Sequence, residues 1–217
     1  MITLRFKTHV LPALIFLVSL AFSTYLYPQL PDTMVTHWGI GGNANGFSPK
    51  SFAVFFLPGL AVFIYALLLF LPSTDPYRAN FRQFKKYYDD FLVLIFIFLF
   101  YIYWLSIFWN LSFNFNMLSF LTPAFALIFY YAGVLTQNAR RNWFVGIRTP
   151  WTLSSDTVWQ ETHRLGGKLF KAVALISLLG LVFPSLAFYF IIIPVLAVTA
   201  FVFVYSYILY RREQADL

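Results

Sequence analysis

Long apolar runs separated by short polar and basic connectors dominate the chain. Six runs approach or exceed the roughly 20 residues a helical crossing of a bilayer needs: His9–Tyr27, Phe52–Leu71, Phe91–Trp109, Leu118–Leu135, Leu169–Phe183 and Leu186–Tyr210. The last two are divided at Pro184 and Ser185, within a largely apolar stretch from Phe170 to Tyr210 about twice as long as one crossing needs. Pro194 predicts a bend in the sixth helix. Arg5 and Lys7 precede the first run as they would in a signal peptide, but no small-residue cleavage site follows, which reads as a retained helix. The pattern predicts an all-α integral membrane protein with six transmembrane helices in a single polytopic domain over residues 1–217.

Composition agrees. Of the 217 residues, 60% are hydrophobic, 22% aromatic and 11% charged, more apolar surface than a water-soluble domain of this size encloses. Cysteine is absent, which excludes disulfides, thiolate metal sites and a cysteine nucleophile. Fourteen of the fifteen Lys and Arg residues fall on one side of the six-span layout, and only Lys50 lies on the other. Because cytoplasmic loops collect basic residues, this places both termini in the cytoplasm. The net charge of +7 is therefore topology, and its division among four segments argues against direct nucleic-acid binding. No Asp, Glu, Lys or Arg stands in the interior of a span, which weighs against ion pumps, proton-coupled transporters and intramembrane proteases. Ser19, Ser23, Thr24, Ser106, Asn110, Ser177, Thr199 and Ser206 are instead expected to bond helix to helix.

Two loops carry further information. The outer loop, residues 28–50, is rich in Pro and Gly and reads as an ordered turn segment without helix. Gly39, Gly41, Gly42 and Gly46 permit a compact path, but no Gly-Lys-Ser/Thr ending marks a phosphate site. Asp32 and His37 form its clear titratable pair, too few ligands for a metal, and Trp38 is suited to the membrane surface. Asn110-Leu111-Ser112 matches a glycosylation sequon but sits too close to the bilayer for use. The inner loop, residues 137–168, contains Asn142, Gly146, Arg148, Thr149, Pro150, Trp151, Asp156, Trp159 and Arg164. Pro150 disfavours helix at Thr149, while Ser154, Ser155 and Asp156 offer caps for a short helix that Gly166 and Gly167 would end. Val158, Trp159, Thr162 and Leu165 share one face, predicting a short interfacial amphipathic helix between the fourth and fifth spans, anchored by Trp151 and Trp159. Asp156, Glu161, His163 and Arg164 fall largely elsewhere. The arginines are expected to meet lipid phosphates, an acidic partner, or Asp156 and Glu161. The basic segment before the third span, within Pro72–Asp90, reads as an amphipathic lead into that helix or a docking surface for a cytosolic protein.

Two segments resemble the SdpI family of bacterial membrane immunity proteins. One comprises Leu30-Pro31-Asp32 through His37-Trp38, with Gly46 and Lys50; the other comprises Gly146 to Leu153 (GIRTPWTL) followed by Asp156, Val158 and Trp159. The resemblance implies resistance to a secreted antimicrobial peptide toxin, with Asp32, His37 and Trp38 as candidate toxin contacts. It also implies a second activity known in that family, capture of a cytosolic winged-helix repressor, for which the inner motif is the candidate surface. Membrane lipids are the other expected partner. No cofactor, metal or catalytic residue is assigned. The alternatives are a small peptide or lipid transporter, which requires energy coupling, and a membrane enzyme acting on lipid-linked substrates through Asp32 and His37 or through Asp156, Glu161 and His163.

Overall fold

The structure, a computed structural model, describes residues 6–113 and 115–216. Arg5, counted above among the basic residues, lies outside them. Helix α1 (Phe6–Leu26) is followed by a two-stranded antiparallel hairpin, β1 (Thr33–Trp38) and β2 (Ala44–Pro49). Then come α2 (Lys50–Phe70), α3 (Arg78–Asn110), α4 (Met117–Asn138), the short α5 (Pro150–Ser154), α6 (Asp156–Ser177), α7 (Leu179–Val182) and α8 (Ala187–Ala215). Among the described residues, six helical segments are long and apolar enough to cross a membrane, in agreement with the sequence pattern. The fifth crossing is made by α6 with α7, and Pro184 begins the turn into α8.

Helix α3 organises the bundle. Both α1 and α2 pack on it, α4 lies on its other flank, α6 runs along α4, and α8 lies on α6. One buried cluster joins Met34 of the hairpin to Val54, Ala61, Phe96, Phe100, Tyr103 and Ile107. A second joins Phe81, Phe84, Tyr88 and Leu92 of α3 to Leu135, Val145 and Trp159. Large apolar side chains such as Leu17, Phe63, Leu196 and Phe203 point outward, as lipid requires. The intramembrane hydroxyls divide as to use. Ser23 bonds Tyr103, and the Trp104 indole N–H donates to Ser19 Oγ at 2.9 Å, tying α1 to α3. Thr24, Ser177 and Thr199 instead bond the carbonyl four residues back in their own helix.

Three sequence expectations need correction. The outer loop is strand, not turn alone: Thr33 pairs with Pro49 and Val35 with Phe47, with irregular register around His37. A lone hairpin is marginal in water, but this one packs on α2 and α3. Second, Gly166 and Gly167 do not end a separate interfacial helix, because α6 continues through them into the fifth span. A Cβ on Gly167 would stand 2.6 Å from the Gly133 carbonyl oxygen, and one on Gly133 would stand 2.6 Å from that of Gly167. These glycines permit a close crossing of α4 and α6, as small residues do in membrane bundles. Third, the face bearing Val158, Trp159 and Thr162 is buried against protein, not laid on lipid, and His163 is buried with it.

Candidate functional site

The second family-like segment lies at the end of the bundle where the α2–α3 turn, the α4–α5 loop and the end of α8 meet. Helix α4 stops at Asn138, and ten residues without regular hydrogen bonding lead to Thr149. Backbone groups released from secondary structure must find other partners when buried. Asn142, fully buried, supplies several: its Oδ1 accepts from the Phe144 and Val145 N–H groups at 2.9 and 2.7 Å, and its Nδ2 donates to the Arg140 and Val145 carbonyls at 2.7 and 2.9 Å. Asp75, buried in the α2–α3 turn, accepts from the Trp143 N–H at 2.9 Å and the Tyr77 N–H at 2.7 Å. Asn80 Nδ2 donates to the Arg141 carbonyl at 3.0 Å.

Beyond this turn the chain doubles back over α6. Gly146 has φ +105°, a conformation side chains disfavour, and a Cβ there would stand 2.3 Å from His163 Nε2. The next N–H, of Ile147, donates to that Nε2 at 3.0 Å, while Nδ1–H donates to the Trp159 carbonyl at 2.7 Å. A ring that accepts at one nitrogen and donates at the other is the neutral imidazole. Trp159 stacks on the His163 ring at 3.9 Å and donates its indole N–H to the Ala139 carbonyl at 2.9 Å.

Thr149 is extended, as its place before Pro150 demands, and caps α5 reciprocally with Thr152. Pro150 occupies the first helical position, where its missing N–H is harmless. Thr149 Oγ1 also bonds Ser206 Oγ of α8 at 3.1 Å, and Trp151 packs its ring on Phe203 and Tyr207. Ser155 caps α6 and donates to Glu213 at 2.8 Å.

The predicted residues thus separate into two sets. Asn142, Gly146, Thr149, Pro150 and Trp159 build the loop. Arg148, Asp156 and Arg164 are exposed and Trp151 is half-buried. Asp156 pairs with Arg141 at 3.1 Å, Arg164 pairs with Glu161, and Arg148 donates to the Trp143 carbonyl at 2.6 Å. Asp75 escapes sequence reasoning, because an Asp between Thr74 and Pro76 signals only a turn. His163 was assigned to the wrong face, and it holds the loop.

Beneath this loop lies a cavity of about 480 Å³, walled by α2, α3, α4 and α8. Leu68, Phe91, Ala132 and Val202 are among its apolar lining residues, and Arg148 is the charged one.

The first family-like segment forms the hairpin at the opposite end. Asn110, the sequon residue, accepts the Val35 N–H at 2.8 Å and donates to the Val35 carbonyl at 2.9 Å, so the last turn of α3 pairs with β1 as another strand would. Asp32 and His37 each have another partner: Asp32, fully exposed, pairs with Lys50 at 3.1 Å, and His37 bonds Asn45 at 2.5 Å. Trp38 meets Trp109 edge-on at 5.8 Å. Ile40 and Phe47 project outward, 50% and 63% exposed.

Six membrane-spanning helices with a hairpin at one end and a braced, arginine-bearing loop at the other define a multi-pass membrane protein. Residues 138–206 match the SdpI/YfhL protein family, and residues 14–62 match a domain of unknown function (DUF1648). Immunity protein SdpI of Bacillus subtilis (strain 168) is 25% identical over 163 residues, spanning 75% of this chain and 76% of that protein. No solved structure matches this chain.

Proposed function

We propose that this protein is a membrane immunity protein that confers resistance to a secreted antimicrobial peptide toxin, with both termini cytoplasmic and the hairpin facing outward. The observation that carries the reading is the similarity to Immunity protein SdpI over three quarters of both chains. The separation of Lys and Arg supports the orientation, because it sets the basic end inside. The hairpin then offers an incoming peptide Asp32, His37 and Trp38, joined by the exposed Phe47 and Ile40. A toxin held there is kept from the bilayer. A cytosolic winged-helix repressor, where the cell has one, would meet the braced loop at the other end, through Arg148, Trp151 and Arg164. The reading assigns no catalysis.

The test is survival of a toxin-sensitive bacterium expressing the intact protein or an Ile40→Asn/Phe47→Asn variant at equal membrane abundance, challenged with the family's peptide toxin. Both changes are on exposed positions of the hairpin. Protection by the intact chain and its loss in the variant is the expected result. Absence of protection by the intact, membrane-inserted chain overturns the immunity reading; equal protection by both overturns the hairpin's part in it.

A further inference from the structure

The cavity beneath the motif loop differs in kind from the rest of the lipid-facing surface. Its volume falls within the roughly 300–1,000 Å³ of ligand sites. Its lining is ordered along its length: the loop contributes Arg148 and backbone groups at one end, and Phe91, Ala132 and Thr199 line it within the spans. Thr199 and Phe203 are themselves exposed on the flank of α8, so the hollow opens sideways, toward lipid. Arg148 donates one N–H to the Trp143 carbonyl, and among the described residues no carboxylate is within ion-pairing distance of it. A guanidinium carries five N–H donors and suits the paired oxygens of a phosphate.

From this juxtaposition we propose that the cavity is a binding site for an anionic phospholipid, one acyl chain seated between α2, α3 and α8 and the headgroup phosphate held by Arg148. Charge complementarity selects this occupant over a neutral lipid or an apolar peptide: the buried length is apolar and Arg148 makes the mouth cationic. The lipid would brace the loop from below, where His163 braces it from α6.

The experiment is native mass spectrometry of the full chain purified in detergent. It is titrated with phosphatidylglycerol, with phosphatidylcholine of the same acyl chains, and with inorganic phosphate. The proposal expects phosphatidylglycerol to be retained in preference to phosphatidylcholine and not displaced by millimolar phosphate. Arg148→Ala should lower its retention by about tenfold, the effect of losing one charge-assisted contact. Arg148→Lys, which keeps the charge, should lose less. Ala132→Phe and, from the opposite wall, Thr199→Phe should abolish retention of either lipid at the site, and Arg140→Ala should leave it unchanged. Undiminished retention in Arg148→Ala, or in whichever filling variant elutes as a single folded species, overturns the site. Equal retention of the two lipids overturns the anionic selection and leaves ordinary surface lipid, and displacement by inorganic phosphate alone overturns the lipid in favour of a free-anion site. These readouts need no toxin, so their failure is distinct from failure of the immunity reading.

Discussion

Gly146→Ala tests whether the motif loop is held as the geometry implies. The added Cβ must take a φ of +105°, where strain costs about 1–3 kcal/mol, and it would stand 2.3 Å from His163 Nε2. The imidazole must then move and give up the Ile147 N–H, a hydrogen bond contributing about 1 kcal/mol net. Together these predict a loss of about 2–4 kcal/mol. The assay is reversible unfolding by SDS in mixed micelles, with Gly59→Ala as reference: Gly59 lies mid-helix with open space around its Cα, so Ala there is neutral or stabilises by up to about 1 kcal/mol. Adding His163→Ala separates the two costs. Removing the ring makes room for the methyl group, so the double variant should be more stable than the sum of the single losses predicts by about 1 kcal/mol, while the φ strain persists. Two results would refute the reasoning: Gly146→Ala as stable as Gly59→Ala, or strict additivity in the double variant.

Two further substitutions probe the other supports of the fold. Asn110→Ala removes both bonds to Val35 and one to Ser106, so the hairpin should detach locally at a cost of about 2–3 kcal/mol. Faster amide exchange at Val35, with the helices unchanged, is the expected readout; unchanged protection there would show that burial of Met34 suffices. Gly133→Ala should lower stability by about 1–3 kcal/mol in the same SDS titration, since its Cβ meets a backbone oxygen of α6 that has little room to move.

How much of this was legible in the sequence follows from the range of the interactions. The six spans depend on apolar length, which is local, and all six are present. The cap at Ser155 and the extended Thr149 are likewise fixed by near neighbours. The hairpin was not visible: its glycines read as turn, and the group that completes β1 is Asn110, 75 residues from Val35. Asp75 was missed for the same reason, its Trp143 partner lying 68 residues on. Gly166 and Gly167 show the converse error. Glycine after a helical run is a common stop signal, but here it serves the crossing of α4 and α6, which no local rule reveals. His163 belonged by sequence to a polar face, and only the returning Ile147 N–H makes its burial sensible.

Helix α3 touches both ends. The helix, 33 residues long and so about 50 Å, is longer than the roughly 30 Å of a bilayer's hydrocarbon core. Its last turn clamps the hairpin through Asn110, and its first turns lie under the motif loop, where Asn80 holds the Arg141 carbonyl and Phe81 and Phe84 pack with Val145 and Trp159. Immunity and signalling then make different demands on it. Holding a toxin at the hairpin requires only the hairpin. Reporting that event to a cytosolic partner requires two arrangements of α3 and a toxin that binds one more tightly, by about 5.5 kcal/mol for a nearly complete switch. On the proposed reading, the hydrogen bonds from α3 to Val35 and Arg141 oppose such a movement, and a toxin's differential affinity would have to exceed their combined strength before binding could be reported across the membrane. Weakening either clamp lowers that threshold, and the same change loosens the hairpin or the loop it was holding.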